Sequence, residues 1–222
     1  NKVSDPERDD FDFHLPMGSL YKNFIQEILE NPKPKKFLIP DPDRVAFWKG
    51  RLLSLGKGPF VGISWKSSNM SLLRHHAYTR ISDWASVLRI PDMTFINLQY
   101  SNFDDDLVRI KNELGVTVHN FDDLDQYNNI DELAALTAAL DMVISIKNLV
   151  PIISTGVGTT TKILCWQQSN LNNVLFNPRT SNYKMYYKRS TDNWDNAFNL
   201  IADDMIKFKN KTCDSKDIIF NE

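Results

Sequence analysis

Hydrophobic residues in this chain alternate between the spacing of a helix and the spacing of a buried strand. The clearest case is residues 131–140, where apolar residues recur every three or four positions after a capping side chain at Asn129 or Asp131. A continuous apolar run, Met142–Ile146, follows directly. A strand that is apolar on both faces is typical of a parallel sheet covered by helices.

The same alternation continues along most of the chain and predicts the fold class. The pattern predicts strands over 60–65, 94–98, 116–118, 142–146 and 162–166, and a last strand or extended segment over 183–188. It predicts helices over 19–30, 43–55, 82–88, 104–114, 131–140, 149–156 and 194–209, and a short strand or extended leader over 37–39. Strands that alternate with helices favour an α/β, Rossmann-like three-layer domain with a parallel sheet.

A run of prolines and lysines, NPKPKK at 31–36, is typical of a linker between domains. It divides the chain into residues 1–36, a domain over 37–211 and a tail over 212–222. The sequence begins at an asparagine and enters a charged run at once, so we expect a boundary within a longer protein.

Composition excludes several classes of protein. The chain has 222 residues, 42% hydrophobic and 24% charged, which is ordinary for a globular protein. A net charge of −2 gives no indication of nucleic acid or of an anionic membrane as partner. Two cysteines are too few for a secreted disulfide framework, and neither a membrane span nor a signal sequence is evident. We therefore expect a cytoplasmic protein.

Polar residues that could carry chemistry follow three of the predicted strands, at the edge where α/β sheets bind ligands. The first group is Ser64, Trp65 and Lys66, with Arg74 further along the loop. Hydroxyl, ammonium and guanidinium groups are the donors that phosphate oxygens bind. The alternative interpretation is a polar loop that happens to be basic.

The second group is Gln99 and Tyr100, at the end of the strand over 94–98. An amide and an aromatic ring there could receive a base or a sugar. The alternative is a polar cluster that satisfies backbone groups at the strand end, and for two residues alone that alternative is favoured.

The third group is Ser145, Lys147 and Asn148, just before a predicted helix. A helix N-terminus attracts a diphosphate through its amides and its dipole, and Lys147 would add a full charge. Asn148 could simply cap the helix, which is compatible with phosphate binding. The sequence contains no metal-ligand spacing and no nucleophile pattern, so no catalytic residue and no metal ligand is assigned.

Together these motifs resemble a known family over roughly residues 11–205. They are GISWKS at 62–67, DW at 83–84, FINLQY at 95–100, NIDELAAL at 129–136 and LDMVIS at 140–145. In this order they resemble the C-terminal half of bacterial glycosyltransferases of the two-domain GT-B fold. The most similar members are akin to lipopolysaccharide heptosyltransferases and carry tetratricopeptide repeats.

The resemblance implies that this lobe binds a nucleotide diphosphate sugar as donor substrate, without a metal or another cofactor. It implies that the acceptor site and the catalytic base lie on the N-terminal lobe of a longer parent, of which residues 1–36 are a remnant. The isolated chain is then expected to be inactive, and sugar transfer to need the complete protein.

Two alternatives remain open at this point. The family tends to have an acid where this chain has Lys147 and a histidine where it has Ile152. These departures favour a non-catalytic binding or scaffold module derived from a glycosyltransferase. An unrelated nucleotide-binding domain is the other alternative, but no dinucleotide-binding glycine pattern supports it.

Overall fold

The computed structural model describes residues 12, 15, 16, 19, 22–24, 36–67, 78–166, 182–189 and 192–217, with only the backbone described beyond residue 210. The chain forms two compact units, residues 1–33 and residues 34–222. In the first unit, residue 19 and residues 22–24 are helical, and the rest of the helix predicted over 19–30 lies outside the described residues.

The second unit alternates helices and strands as the sequence predicts. Its elements are α1 (Pro42–Leu55), β1 (Phe60–Ser64), α2 (Ala85–Leu88), β2 (Thr94–Asn97), α3 (Asp104–Arg109), β3 (Val118–His119), α4 (Ile130–Ala139), β4 (Met142–Ile146), α5 (Leu149–Val157), β5 (Thr160–Trp166), β6 (Tyr183–Lys188) and α6 (Asp195–Asp217).

All six strands pair in parallel, in the order β3-β2-β1-β4-β5-β6. This confirms the predicted α/β fold with a parallel, Rossmann-like sheet. The strand order reverses between β1 and β4, and ligands of such sheets bind in the crevice beyond the carboxyl ends of the strands at that point.

Two apolar clusters cover the two faces of the sheet and make the three layers. On one face, Trp84 of the 3₁₀ turn before α2 and Phe198 of α6 pack with their rings 5.0 Å apart. On the other face, Trp48 of α1 packs with Leu133 and Leu136 of α4. Burial of each such side chain stabilises the fold by about 1.5–3 kcal/mol. The two clusters therefore hold the sheet, and the strand ends that form the crevice, in place.

Local structure departs from the predictions at several elements. The strand predicted over 116–118 forms at Val118–His119, and the helix predicted over 82–88 begins with a 3₁₀ turn at Ile81–Trp84. Of the two alternatives for residues 37–39, the strand does not form; the amides of Phe37 and Leu38 donate to the carbonyl of Gly156, at 2.8 and 2.9 Å. The helix predicted over 104–114 changes to a π-helical turn at Ile110–Leu114 and ends at Gly115, whose φ of 72° stops it. The last helix runs to Asp217 rather than residue 209.

Among the helices of the described residues, none is both long and apolar enough to cross a bilayer.

Candidate functional site

Asn148 joins the two strands on either side of the topological reversal. Ser64 ends β1 and lies beside Ser145 of β4 in the parallel register. The Nδ2 of Asn148 donates to Ser64 Oγ at 2.8 Å, and its Oδ1 accepts from Ser145 Oγ at 3.2 Å. The same oxygen accepts the amide of Val150 at 2.9 Å and so caps α5. One side chain therefore both caps α5 and links the ends of β1 and β4 through hydrogen bonds.

Gln99 holds the backbone that leaves β1. Its Oε1 accepts from the amides of Trp65 and Lys66, at 3.1 and 3.0 Å, and from Ser64 Oγ at 3.2 Å. The Gln99 side chain is fully buried. The amides that a phosphate would need at this turn are therefore already bound by the chain's own side chain, so a phosphate here depends on side chains instead.

Lys66 and Trp65 both contact Asp106 on α3. Its Oδ2 lies 2.6 Å from Lys66 Nζ and accepts from Trp65 Nε1 at 2.8 Å. Lys66 Nζ also donates to the carbonyl of Asn102. The indole of Trp65 is buried and belongs to the core. Because Asp106 neutralises Lys66 directly, an anion in the crevice would have to compete with that carboxylate for the ammonium.

Lys147 places a second cation beside the start of α5. Burial lowers the pKa of its ammonium, and the neighbouring Cys165 opposes this shift. Burial also raises the pKa of the Cys165 thiol to about 12, although the Lys147 charge lowers it. The thiol therefore stays protonated at neutral pH. An anionic ligand beside this half-buried ammonium would favour its charged form and so offset part of the desolvation.

The structure brings the first and third predicted groups together. Asn148 is hydrogen-bonded to Ser64, and Ser64 is hydrogen-bonded to Gln99, which follows the end of β2. Tyr100 contacts other residues: its hydroxyl lies 3.3 Å from Ser67 Oγ, and its ring centroid lies 6.0 Å from that of Tyr127. Arg74 lies outside the described residues.

A pocket of about 210 Å³ opens beyond the carboxyl ends of β2 and β3. Hydrogen bonds connect it to the crevice: Gln126 Nε2 donates to the carbonyl of Asn97 at 3.1 Å, and Asn97 Oδ1 accepts the amide of Gln99 at 2.8 Å. The pocket is lined by Tyr100, Phe103, Asn120, Phe121, Asp122, Leu124, Asp125, Gln126 and Tyr127.

Apart from Tyr100, these lining residues were not predicted from the sequence. The signal that could have found them is the polar run at 119–126, HNFDDLDQ, directly after the strand predicted over 116–118. Polar residues at that position follow the same rule that selected the other three groups.

Across the described part of the chain, no group of three or more histidine, cysteine or acidic side chains could hold a metal ion. The expectation that donor binding needs no metal stays a prediction.

No protein-family model matches the chain. Protein FlbA of Caulobacter vibrioides is 36% identical over 151 residues, which are 68% of this chain and 25% of that protein. This chain therefore spans about a quarter of the length of that relative, whose name states no activity.

Two solved structures share the fold. One is the ADP-heptose lipopolysaccharide heptosyltransferase II of E. coli, with a TM-score of 0.51 and 10% identity over 67% of this chain and 44% of that one. The other is a glycosyl transferase family 9 protein of Veillonella parvula, with a TM-score of 0.56 and 9% identity over 77% and 48%. At this identity the likeness establishes a glycosyltransferase-like fold. This chain spans less than half of each structure.

Proposed function

We propose that this chain is the C-terminal, donor-binding half of a two-lobe glycosyltransferase and binds a nucleotide diphosphate sugar. The observation that carries the proposal is the reversal of strand order between β1 and β4, with Ser64 and Asn148 bonded across it at the start of α5. The glycosyltransferase-like fold supports the same reading. One of the two solved structures is named for ADP-heptose, a sugar of this class.

The diphosphate is placed between the turn Ser64–Lys66 and the start of α5. Asn148 already caps the amide of Val150, and Pro151 has no amide hydrogen. The helix N-terminus therefore offers fewer N–H groups than usual, and Lys147 supplies most of the positive charge. Lys66 adds a second cation once a phosphate displaces Asp106.

Transfer of the sugar is assigned to the complete protein. The chain covers 44% and 48% of the two solved glycosyltransferases and 25% of FlbA, which leaves room for a second lobe and for tetratricopeptide repeats in a cytoplasmic parent. We assign the acceptor site and the catalytic base to that preceding lobe. A general base must come within hydrogen-bond reach of the acceptor, so the isolated chain is expected to transfer no sugar.

The second candidate is a non-catalytic binding module. Lys147 and Ile152 favour it, because they replace the acid and the histidine that the resembling family tends to have. Ile152 packs against the cluster of Ile163 and Cys165 and is therefore an apolar packing residue here. A complete parent that binds the donor but transfers no sugar would support this candidate over the enzyme.

Calorimetric titration of the chain with ADP-, UDP- and GDP-linked sugars tests donor binding. We expect binding of at least one of them, and Lys147→Met should weaken it by about ten- to a hundredfold, since a charge-assisted hydrogen bond contributes about 1.5–3 kcal/mol. Lys207→Met is the matched control, because Lys207 is exposed on α6. Equal affinity of the Lys147 variant and the parent, or no binding of any of these sugars, would contradict the placement.

A further inference from the structure

The pocket beyond β2 and β3 has the features of a site for a flat, uncharged group. We infer that it binds the base of the nucleotide and prefers cytosine or adenine, which carry an exocyclic amine where uracil has its O4 carbonyl, over uracil. This inference rests on the proposed function, because the base is taken to belong to the same donor as the diphosphate.

Aromatic rings form much of the pocket wall. The rings of Tyr100 and Tyr127 lie 6.0 Å apart with their planes tilted by 40°, and Phe103 and Phe121 line the same space. Tyr127 is 67% exposed, so its ring is not held in the core. Aromatic side chains of this kind stack on bases. A volume of about 210 Å³ is below the roughly 300–1,000 Å³ of pockets for drug-sized ligands, so this pocket suits a fragment of the donor.

The polar groups of the pocket are mainly acceptors. The nitrogen of Gln126 must face the carbonyl of Asn97, to which it donates, so the amide orientation is fixed and its oxygen is an acceptor. That oxygen is buried and has no hydrogen-bond partner in the structure. Asp122 adds a carboxylate, of which Oδ1 accepts from Asn120 Nδ2. A ligand with hydrogen-bond donors would satisfy these acceptor oxygens.

Asp125 adds negative charge to the same wall. Hydrogen bonds from the side chain and amide of Asn128 and from the amide of Tyr127 lower the pKa of its carboxyl, which keeps it ionised at neutral pH. None of the described lining residues is a lysine, arginine or histidine. A phosphate is therefore disfavoured in the pocket and is directed to the crevice instead.

This charge and hydrogen-bond pattern discriminates between bases. Cytosine and adenine present an amine that can donate to a carboxylate or to the Gln126 oxygen. Uracil presents a carbonyl at the corresponding position, as thymine does, and that oxygen would face an acceptor. Binding sites with buried polar groups reject analogues that leave those groups unpaired.

The pocket is also connected to the proposed diphosphate site. A hydrogen-bonded series runs from Gln126 through Asn97 and Gln99 to Ser64 and Asn148. Base and diphosphate would thus lie at the two ends of one network along the carboxyl edge of the sheet. This continuity is the reason to assign both parts to a single ligand.

Titration of the chain with cytidine, adenosine and uridine, and with their 5′-diphosphates, tests the inference. We expect the cytosine and adenine compounds to bind at least about tenfold more tightly than the uracil compounds. Asp122→Asn should reduce this ratio to about threefold or less, because an amide can also donate to uracil. Asp203→Asn, an exposed carboxylate on α6, should leave the ratio unchanged. Tyr127→Ala should weaken all three nucleosides alike through lost stacking.

The outcomes separate the two proposals. Equal or tighter binding of the uracil compounds, or a ratio that Asp122→Asn leaves unchanged, would overturn the base preference of this pocket. Diphosphates that bind tightly with no preference for a base would leave the donor function standing and overturn this inference. If the nucleosides show the preference for cytosine and adenine, and their 5′-diphosphates bind no more tightly than they do, the result supports the base pocket and contradicts the diphosphate site.

Discussion

Asp204→Asn should destabilise the domain, because Asp204 on α6 binds groups from two strands at once. Its Oδ2 accepts from Lys184 Nζ and from the Tyr186 hydroxyl, both at 2.6 Å, and lies 3.5 Å from Lys162 Nζ. Asparagine keeps an acceptor of the same size but carries no charge. The substitution therefore removes the counter-charge of both lysines without opening a cavity.

The size of the effect follows from exposure. The Lys162 side chain is 12% exposed, and burial lowers the pKa of its ammonium, so it depends strongly on its partner. Breaking a fully buried ion pair costs about 3–5 kcal/mol. Asp204 is 19% exposed and Lys184 is 56% exposed, so solvent screens part of the interaction. We expect a loss of about 2–3 kcal/mol, or a fall in Tm of about 5–10 °C for a chain of this size.

The dependence on pH gives a second readout. Burial alone would raise the pKa of Asp204, but the hydrogen bonds from Lys184 and Tyr186 and the charge of Lys162 outweigh it and lower the pKa to about 2. A carboxyl whose pKa is lower in the folded state stabilises the fold above its unfolded pKa, and this stabilisation is lost as the pH falls through its folded pKa. The difference in stability between parent and variant should thus be full at pH 5 and shrink towards pH 2.

Urea denaturation and thermal melting of Asp204→Asn and of its neighbour Asp203→Asn measure both effects. Asp203 is exposed on the same helix, and its substitution should change the free energy of unfolding by less than about 0.5 kcal/mol. Equal stability of the two variants, or a gap that stays constant down to pH 2, would refute the electrostatic argument.

Two further substitutions test the packing and the site. Gly156→Ala would place a Cβ 2.6 Å from Leu38 Cδ1 and should cost about 1–3 kcal/mol in thermal melting, whereas Gly50→Ala, with open space around it, should be neutral or stabilising by up to about 1 kcal/mol. Equal melting of the two glycine variants would contradict the contact of residues 36–39 with α5. Gln99→Ala leaves the buried Trp65 amide and the partly buried Lys66 amide without their acceptor, so it should cost about 2–4 kcal/mol and speed hydrogen exchange of the Trp65 amide, while Gln99→Glu should preserve its protection. Unchanged exchange in Gln99→Ala would refute its role in holding this turn.

The strands were predictable because their patterns are local. Met142–Ile146 and Tyr183–Lys188 lie where the sequence places them, and the parallel sheet follows from the alternation with helices. The change of α3 to a π-helical turn at Ile110 was not predictable, since residues 104–114 keep helical spacing throughout. The sequence left residues 37–39 open between a strand and an extended leader, because the group that they bind, the carbonyl of Gly156, lies far away in the sequence.

The candidate site was predictable in part. Strand ends identify Ser64, Ser145 and Asn148, because parallel strands bring their carboxyl ends to one edge. The partners of these side chains were not predictable: Gln99 binds the turn after β1 rather than standing open to a ligand, and Lys66 binds Asp106. These bonds join residues that are 33 and 40 positions apart, and no local pattern encodes how such loops meet.

The donor site at the crevice is tested most directly by titration of the chain with a nucleotide diphosphate sugar, followed through backbone amide chemical shifts. We expect saturable shifts that are largest at residues 64–67 and 145–150, together with shifts at the pocket residues 120–127. Inorganic pyrophosphate should reproduce the first two groups of shifts and leave the pocket unchanged. Saturable binding that shifts none of these amides, or pyrophosphate shifts that map to another face of the sheet, would contradict a donor site at the crevice between β1 and β4.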